Sequence, residues 1–96
     1  MLFQVEMAVA LPHDMPAEQA DALKQTERAY AQELLRKGTW RHLWRVVGQY
    51  ANTSIFDVGS NMELHEILTS LPLYPYMTVK VTPLCQHPSS IHDDDR

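Results

Sequence analysis

The sequence has little of what several classes of protein require. Its single cysteine, Cys85, excludes an intrachain disulfide, and no Cys/His pattern has the spacing of a zinc site. Only three glycines occur among the 96 residues, and none forms a phosphate-binding loop. No apolar run approaches the roughly 20 residues of a membrane-spanning helix. Eight basic residues stand against twelve acidic ones, so the net charge of −4 gives no sign of a nucleic-acid-binding surface.

The residues that are present describe one small domain. Hydrophobic residues make up 45% of the chain and charged residues 21%. A domain of this length buries only about 60–65% of the surface that its unfolded chain exposes, so we expect a homo-oligomer. The N-terminus begins with a strand pattern rather than a signal peptide, and the lone cysteine fits a reducing compartment. We therefore expect a cytoplasmic protein with neither nucleic acid nor a membrane as its partner.

Hydrophobic periodicity predicts a strand followed by a long helix. Apolar and other residues alternate along LFQVEMAVAL, residues 2 to 11, as in a strand with one buried face. Residues 16 to 37 are rich in helix-favouring residues and contain no internal glycine. Gly38 follows them as the expected helix stop.

The rest of the chain predicts three more strands and a shorter helix. Strands are expected at residues 40 to 47, 50 to 58 and 76 to 84, and the capping box that begins at Ser60 opens the second helix. The order β-α-β-β-α-β is typical of an α+β, ferredoxin-like fold, in which a four-stranded antiparallel sheet carries both helices on one face. The other face needs a cover, which favours a dimer of the αβ-barrel type.

The chain divides into one domain and a tail. Residues 1 to 85 contain all the predicted elements and are expected to form a single ferredoxin-like domain. Residues 86 to 96 have no core pattern and end in Asp-Asp-Asp-Arg. We expect this tail to be either disordered or docked on a neighbouring subunit.

Glu27 occupies an apolar position of the first predicted helix. It lies on the same stripe as Leu23 and Ala31, so its carboxylate should face the sheet. A buried carboxylate needs a raised pKa or a partner, and either suits a general base. Two other interpretations explain the position equally well. Glu27 could form a salt bridge with an arginine, or the apolar stripe could be rotated slightly so that Glu27 is exposed to water. Lys24 could bind a substrate carboxylate or form an exposed ion pair with Glu27.

Polar side chains on the third predicted strand could form a pocket beneath Glu27. Tyr50, Asn52 and Ser54 share one side of this strand with Phe56. We expect that side to face the helices, because the opposite register would bury Asp57. Three neutral donors near a carboxylate would suit an oxygen-rich ligand.

Trp40, His42 and Trp44 alternate on the preceding strand. His42 could bind an anion or assist proton transfer between aromatic walls. In the other interpretation, the two tryptophans pack in the core or at an interface, and the histidine between them has its hydrogen-bond partners within the protein. The length of the hairpin loop, which the pattern leaves open, decides which side of this strand joins Tyr50 and Asn52. The five histidines lack metal-site spacing, so we expect no metal.

Three long segments resemble the muconolactone Δ-isomerase family. They are MLFQVEMAVALPHDMP, GTWRHLWRVVGQYANTSIFDVGSNMELHEIL and LPLYPYMTVKVTPLCQHPSSI, and the likeness covers nearly all of residues 1 to 91. The resemblance implies a cofactor-free enzyme of the β-ketoadipate pathway of catechol degradation. Such an enzyme converts muconolactone into 3-oxoadipate enol-lactone by moving a ring double bond. The resemblance also implies dimers that assemble into a homodecamer.

The reaction that the resemblance implies gives roles to the residues singled out above. The resemblance supports the role of Glu27, whereas the other roles rest on the position of each residue along its helix or strand. Glu27 becomes the catalytic base, and a set of seven side chains would bind the substrate: Lys24 or His42 at its carboxylate, Tyr50, Asn52 and Ser54 at the lactone oxygen, and Trp40 and Phe56 as apolar walls. Two alternatives remain open. Chloromuconolactone dehalogenases share the scaffold but expel chloride, and related ferredoxin-like dimers include small ligand-binding proteins and cofactor-free monooxygenases.

Overall fold

The computed structural model describes residues 1–95, which form four strands, two α-helices and one 3-10 helix. In chain order these elements are β1 (Leu2–Val9), α1 (Ala17–Lys37), β2 (Trp40–Arg45), β3 (Ala51–Asp57), α2 (Asn61–Thr69), the 3-10 helix (Tyr74–Tyr76) and β4 (Met77–Leu84). The strands form one sheet in the order β2-β3-β1-β4, and every neighbouring pair is antiparallel. This is the α+β, ferredoxin-like architecture that the sequence predicts.

β1 occupies a central position in the sheet and shows the predicted alternation. Its register pairs Val5 with Ser54 of β3 and with Val81 of β4. Phe3, Val5 and Met7 are buried on the inner face, as expected from the period of two. The strand ends at Val9, earlier than the run of apolar residues suggests.

Both helices cover the inner face of the sheet. Ala31 of α1 and Leu64 and Leu68 of α2 pack in the same core as Phe3 and Val5. No helix of residues 1–95 has the length and apolarity to cross a membrane.

Local signals set the ends of the helices. α1 stops at Gly38, which adopts φ +80° and donates its backbone N–H to the Leu35 carbonyl. α2 begins where the Ser60 hydroxyl accepts the Glu63 N–H at 3.1 Å. The Glu63 carboxylate accepts the N–H of Gly59 at 2.8 Å, so the return bond of the capping box reaches one residue further than the usual pattern.

A β-bulge interrupts the alternation of β2. Trp40 pairs with Phe56, whereas His42 pairs with Ile55, so two steps along β2 face one step along β3. Such an extra residue moves every later side chain of the strand to the other face. The predicted alternation of Trp40, His42 and Trp44 on one face is therefore wrong.

Beyond the bulge, β2 presents different residues to the helices than its sequence indicates. Leu43 and Arg45 face inward, where both line a cleft beside α1. His42 and Trp44 lie on the outer face with their rings stacked, 4.9 Å between centroids and 9° between planes. Trp44 is 55% exposed in the single chain.

The C-terminal tail returns to β2 of the same chain. The Arg41 guanidinium contacts the carboxylates of Asp94 at 3.1 Å and Asp95 at 3.0 Å, and it donates to the Asp94 carbonyl at 2.9 Å. Neither alternative expected for the tail, disorder or docking on a neighbouring subunit, includes this intrachain contact.

Candidate active site

A cleft of about 620 Å³ opens between α1 and the inner face of β2 and β3. The helix contributes charged and polar side chains, and the sheet contributes aromatic, amide and cationic ones. The residues that give the cleft its chemical character are Lys24, Glu27 and Arg28 from α1, Trp40 and Arg45 from β2, Asn52 from β3, and Tyr50 and Leu73 from loops. Within residues 1–95, no group of three or more His, Cys, Asp or Glu side chains is placed to hold a metal ion.

Glu27 lies on the cleft, partly buried between α1 and the loop that follows α2. Its Oε1 accepts a hydrogen bond from the backbone N–H of Leu73 at 3.0 Å. The loop is anchored by the buried side chains of Leu71 and Leu73, so its amide needs an acceptor in place of water. Among residues 1–95, no other donor contacts the carboxylate, which leaves Oε2 free to act on a ligand.

Glu27 is partly buried and forms no salt bridge within residues 1–95. Burial raises the pKa of the Glu27 carboxyl above its ordinary value of 4.5, and the hydrogen bond from Leu73 opposes part of that rise. Within residues 1–95, no lysine, arginine or histidine nitrogen lies within 4.0 Å of this carboxylate. The ion pair with Lys24 or an arginine, left open by the sequence, is therefore not formed.

The raised pKa predicts how Glu27→Gln changes the pH dependence of stability. A carboxyl whose pKa is raised by folding contributes stability below its unfolded pKa and loses it as pH rises through the folded pKa. Glutamine has no ionisation penalty and can still accept the Leu73 N–H. We expect the variant to have a higher Tm than the wild type near neutral pH, and the difference to vanish below the ordinary pKa of 4.5. Thermal unfolding followed by circular dichroism across that pH range measures this, and a difference in Tm that does not change with pH would contradict the argument.

Three cations line the cleft, and two of them lie against the half-exposed ring of Tyr50. The Lys24 ammonium lies 5.5 Å from the centre of the Tyr50 ring, and the Arg45 guanidinium carbon lies 5.3 Å from it. Arg28 lines the same cleft. None of these three cations has a carboxylate partner within residues 1–95. The cleft thus contains one carboxylate and three cations that form no ion pair within residues 1–95, although the net charge of the chain is −4, and this favours an anionic ligand.

Asn52 is oriented by a buried neighbour. The Ser54 hydroxyl donates to Oδ1 of Asn52 at 2.8 Å. Because the amide oxygen is engaged, the amide NH₂ group remains available to donate into the cleft. Ser54 itself is 0% exposed and does not line the cleft, so the expectation that it donates directly to a ligand needs correction.

Trp40 forms part of the cleft wall while remaining 2% exposed. Its ring packs against Phe56 with 4.7 Å between ring centroids and 31° between planes. The indole Nε1–H is buried and has no acceptor within residues 1–95. Leaving a buried donor unpaired costs about 1–3 kcal/mol, so native structures rarely retain one without a reason.

The structure brings together five of the eight residues that the sequence singles out. Lys24, Glu27, Trp40, Tyr50 and Asn52 line the cleft. His42, Ser54 and Phe56 do not line it within one subunit, so this cleft gives them no direct contact with a ligand. The bulge turns His42 to the outer face, whereas the other two side chains are buried behind Asn52 and Trp40.

Sequence reasoning also missed three groups that the cleft contains. Arg28 lies one turn beyond Lys24 on α1, so helical spacing was a signal that could have identified it. Arg45 faces inward only because of the bulge, and the Leu73 amide is a backbone group from a loop. Neither hydrophobic periodicity nor motif spacing indicates either of these two groups.

Comparisons with known proteins agree along the whole chain. The family model described as Muconolactone delta-isomerase matches residues 1–90. Muconolactone Delta-isomerase 1 of Acinetobacter lwoffii is 62% identical over 95 residues, 99% of each chain. The Muconolactone Delta-isomerase of Cupriavidus pinatubonensis is 64% identical over 91 residues, which cover 95% of this chain and 99% of that protein. A crystal structure of muconolactone isomerase matches with a TM-score of 0.95, 58% identity and complete coverage of both chains.

Proposed function

This chain belongs to the muconolactone Δ-isomerase family, and from that premise we propose that it converts muconolactone into 3-oxoadipate enol-lactone. The reaction moves a ring double bond and serves the β-ketoadipate pathway of catechol degradation. It is an internal proton transfer, so atoms and electrons balance without any co-reactant. The observation that carries the proposal is Glu27, a partly buried carboxylate on the cleft with no cationic partner among residues 1–95 and one free oxygen.

Glu27 is the base of the proposed reaction. Its Oε2 takes the proton from the ring carbon that bears the carboxymethyl arm, and the electron pair moves through the ring onto the lactone carbonyl oxygen. The resulting dienolate takes the same proton back at the carbon next to the carbonyl. The Leu73 N–H holds Oε1 in place during both transfers. A pKa above the ordinary value makes the carboxyl a stronger base when ionised, which aids the first transfer.

The cations of the cleft bind the carboxylate of the substrate. Lys24 and Arg45 lie against the Tyr50 ring, and Arg28 adds a third positive charge. These groups have no competing carboxylate within residues 1–95, so a substrate anion would be their partner. The Asn52 amide, oriented by Ser54, donates to an oxygen of the bound lactone.

We also propose that the enzyme works in the cytoplasm as a decamer built from dimers, with residues 1 to 85 as its catalytic domain. The uncovered face of the sheet supports assembly, because it carries the stacked His42 and Trp44 rings. Light scattering after size-exclusion chromatography measures the mass directly. A single species of ten subunits is expected, and a monomer across micromolar concentrations would contradict assembly while leaving the chemistry untouched.

The function is tested by assaying the wild-type protein for changes in ultraviolet absorbance with muconolactone and with chloromuconolactone, while free chloride is measured. We expect turnover of muconolactone that survives dialysis against EDTA, since the proposed step uses only side chains of the protein. Inactivity on both lactones would overturn the proposal. Turnover of chloromuconolactone with equimolar chloride, in the absence of muconolactone turnover, would assign the protein as a dehalogenase.

A further inference from the structure

The two ends of the cleft differ in exposure and charge. At one end stands Tyr50, 42% exposed and flanked by Lys24 and Arg45. At the other end stands Trp40, 2% exposed. Trp40 and Arg45 are the first and last residues of β2, and five steps at ~3.3 Å per residue place their backbones about 16 Å apart. A bound molecule therefore meets cations at the open end and an indole at the closed end.

The buried indole N–H is the feature that the proposed reaction leaves unexplained. An apolar wall needs no N–H group, yet Nε1 of Trp40 is a buried donor without an acceptor in residues 1–95. Tryptophan donates through this atom alone and cannot accept, so only an oxygen or another acceptor can satisfy it. Trp40 lines the cleft, although Nε1 itself has almost no accessible surface while the cleft is empty. A small movement of the indole on binding would therefore bring its N–H to an acceptor of the ligand.

The proposed substrate has such an acceptor at the required end. Its carboxylate lies on one side of the ring carbon that loses the proton, and the lactone carbonyl lies on the other side of the ring. If the carboxylate is held by Lys24 and Arg45, the carbonyl oxygen is directed toward the closed end of the cleft. That oxygen gains negative charge when the dienolate forms.

We propose that Trp40 donates its indole N–H to the lactone carbonyl oxygen and stabilises the dienolate. This inference rests on the proposed function and gives Trp40 a catalytic role beyond that of an apolar wall. A donor that packs against Phe56 and is shielded from bulk water interacts with developing charge more strongly than a donor in water does. Leaving this N–H unpaired destabilises the free protein, and the same group then serves as a donor in the transition state.

The test replaces the indole of residue 40 with benzothiophene, using benzothienylalanine, which keeps the ring shape and removes only the N–H. We expect kcat to fall by about 10²–10³-fold, the usual effect of removing one oxyanion donor, with KM nearly unchanged. We also expect Tm to stay level or rise, since an unpaired buried donor has been removed. The same replacement at Trp44, on the outer face of the sheet, is the matched control and should leave kcat unchanged.

A binding measurement separates this inference from the proposed function. In the Glu27→Gln background, which cannot transfer the proton, the probe is tetronate, a planar five-membered enolate. Calorimetry should show at least about tenfold weaker binding of tetronate when residue 40 lacks its N–H, as expected for a charge-assisted hydrogen bond. Unchanged kcat in the sulfur variant, equal tetronate affinity with and without the N–H, or no tetronate binding at all would each overturn the role of Trp40. Inactivity of the wild type toward both lactones would instead overturn the proposed function.

Discussion

Glu27→Gln is expected to lower kcat on muconolactone by about 10²–10⁴-fold, the usual contribution of a positioned general base. Glutamine has nearly the same shape, and its amide oxygen can accept the Leu73 N–H that now bonds Oε1. The substitution therefore removes the proton acceptor without removing the contact that holds it. The loss is measured from initial rates of the ultraviolet absorbance change, and circular dichroism with size-exclusion chromatography should show an intact fold and assembly.

Two comparisons make this result specific to Glu27. Glu33→Gln, on the exposed part of the same helix, removes a carboxylate whose only ion pairs within residues 1–95 are with Arg36 at 3.7 Å and Lys37 at 3.8 Å, so it should retain full activity. In the wild type, kcat/KM should fall at acidic pH as Glu27 is protonated, with an apparent pKa above 4.5. The residual activity of Glu27→Gln should lack that acidic limb. A fully active Glu27→Gln would remove the base assignment.

The double variant Lys24→Gln/Arg45→Gln is expected to raise KM by about 10–100-fold while kcat changes little. A hydrogen bond to a charged group contributes about 1.5–3 kcal/mol, and the substrate carboxylate is bound equally in the ground state and the transition state. Arg28 remains in the variant, so binding should be weakened rather than abolished. Steady-state kinetics over a range of substrate concentrations separate KM from kcat.

A neutral substrate and an exposed arginine serve as controls for the charge argument. The methyl ester of muconolactone lacks the anion, so wild type and double variant should turn it over with similar KM. Arg36→Gln removes a cation near the other end of α1 and should leave KM unchanged. The KM of the wild type should rise with ionic strength more steeply than that of the variant. A double variant with unchanged KM, or with only a lowered kcat, would refute the assigned role of these cations.

Much of the fold could be predicted because hydrophobic periodicity and helix-ending residues are visible within short stretches of the sequence. The period of two in β1 predicted that Phe3, Val5 and Met7 are buried. The pattern on β3 correctly predicted that Asn52 faces the helices. Gly38 ends the first helix where expected. The family likeness, read from three long segments, was confirmed by the family model and by the relatives.

The candidate site was predicted only in part, because its remaining features depend on contacts between distant parts of the chain. The inward position of Arg45 and the outward position of His42 follow from a bulge, which forms only when β2 pairs with β3. A period of two cannot reveal an extra residue in a strand, since the register is set by the partner strand.

Local chemistry along the chain thus determined the elements, the inner face of the central strands and the placement of a carboxylate on an apolar helix stripe. Tertiary structure decided what surrounds that carboxylate. The Leu73 amide that holds Glu27 lies 46 residues away along the chain. The Trp40 N–H, which has no acceptor within residues 1–95, is recognisable as unpaired only once its burial is known. Both depend on which groups lose water when distant segments pack together, and a one-dimensional pattern does not contain that information.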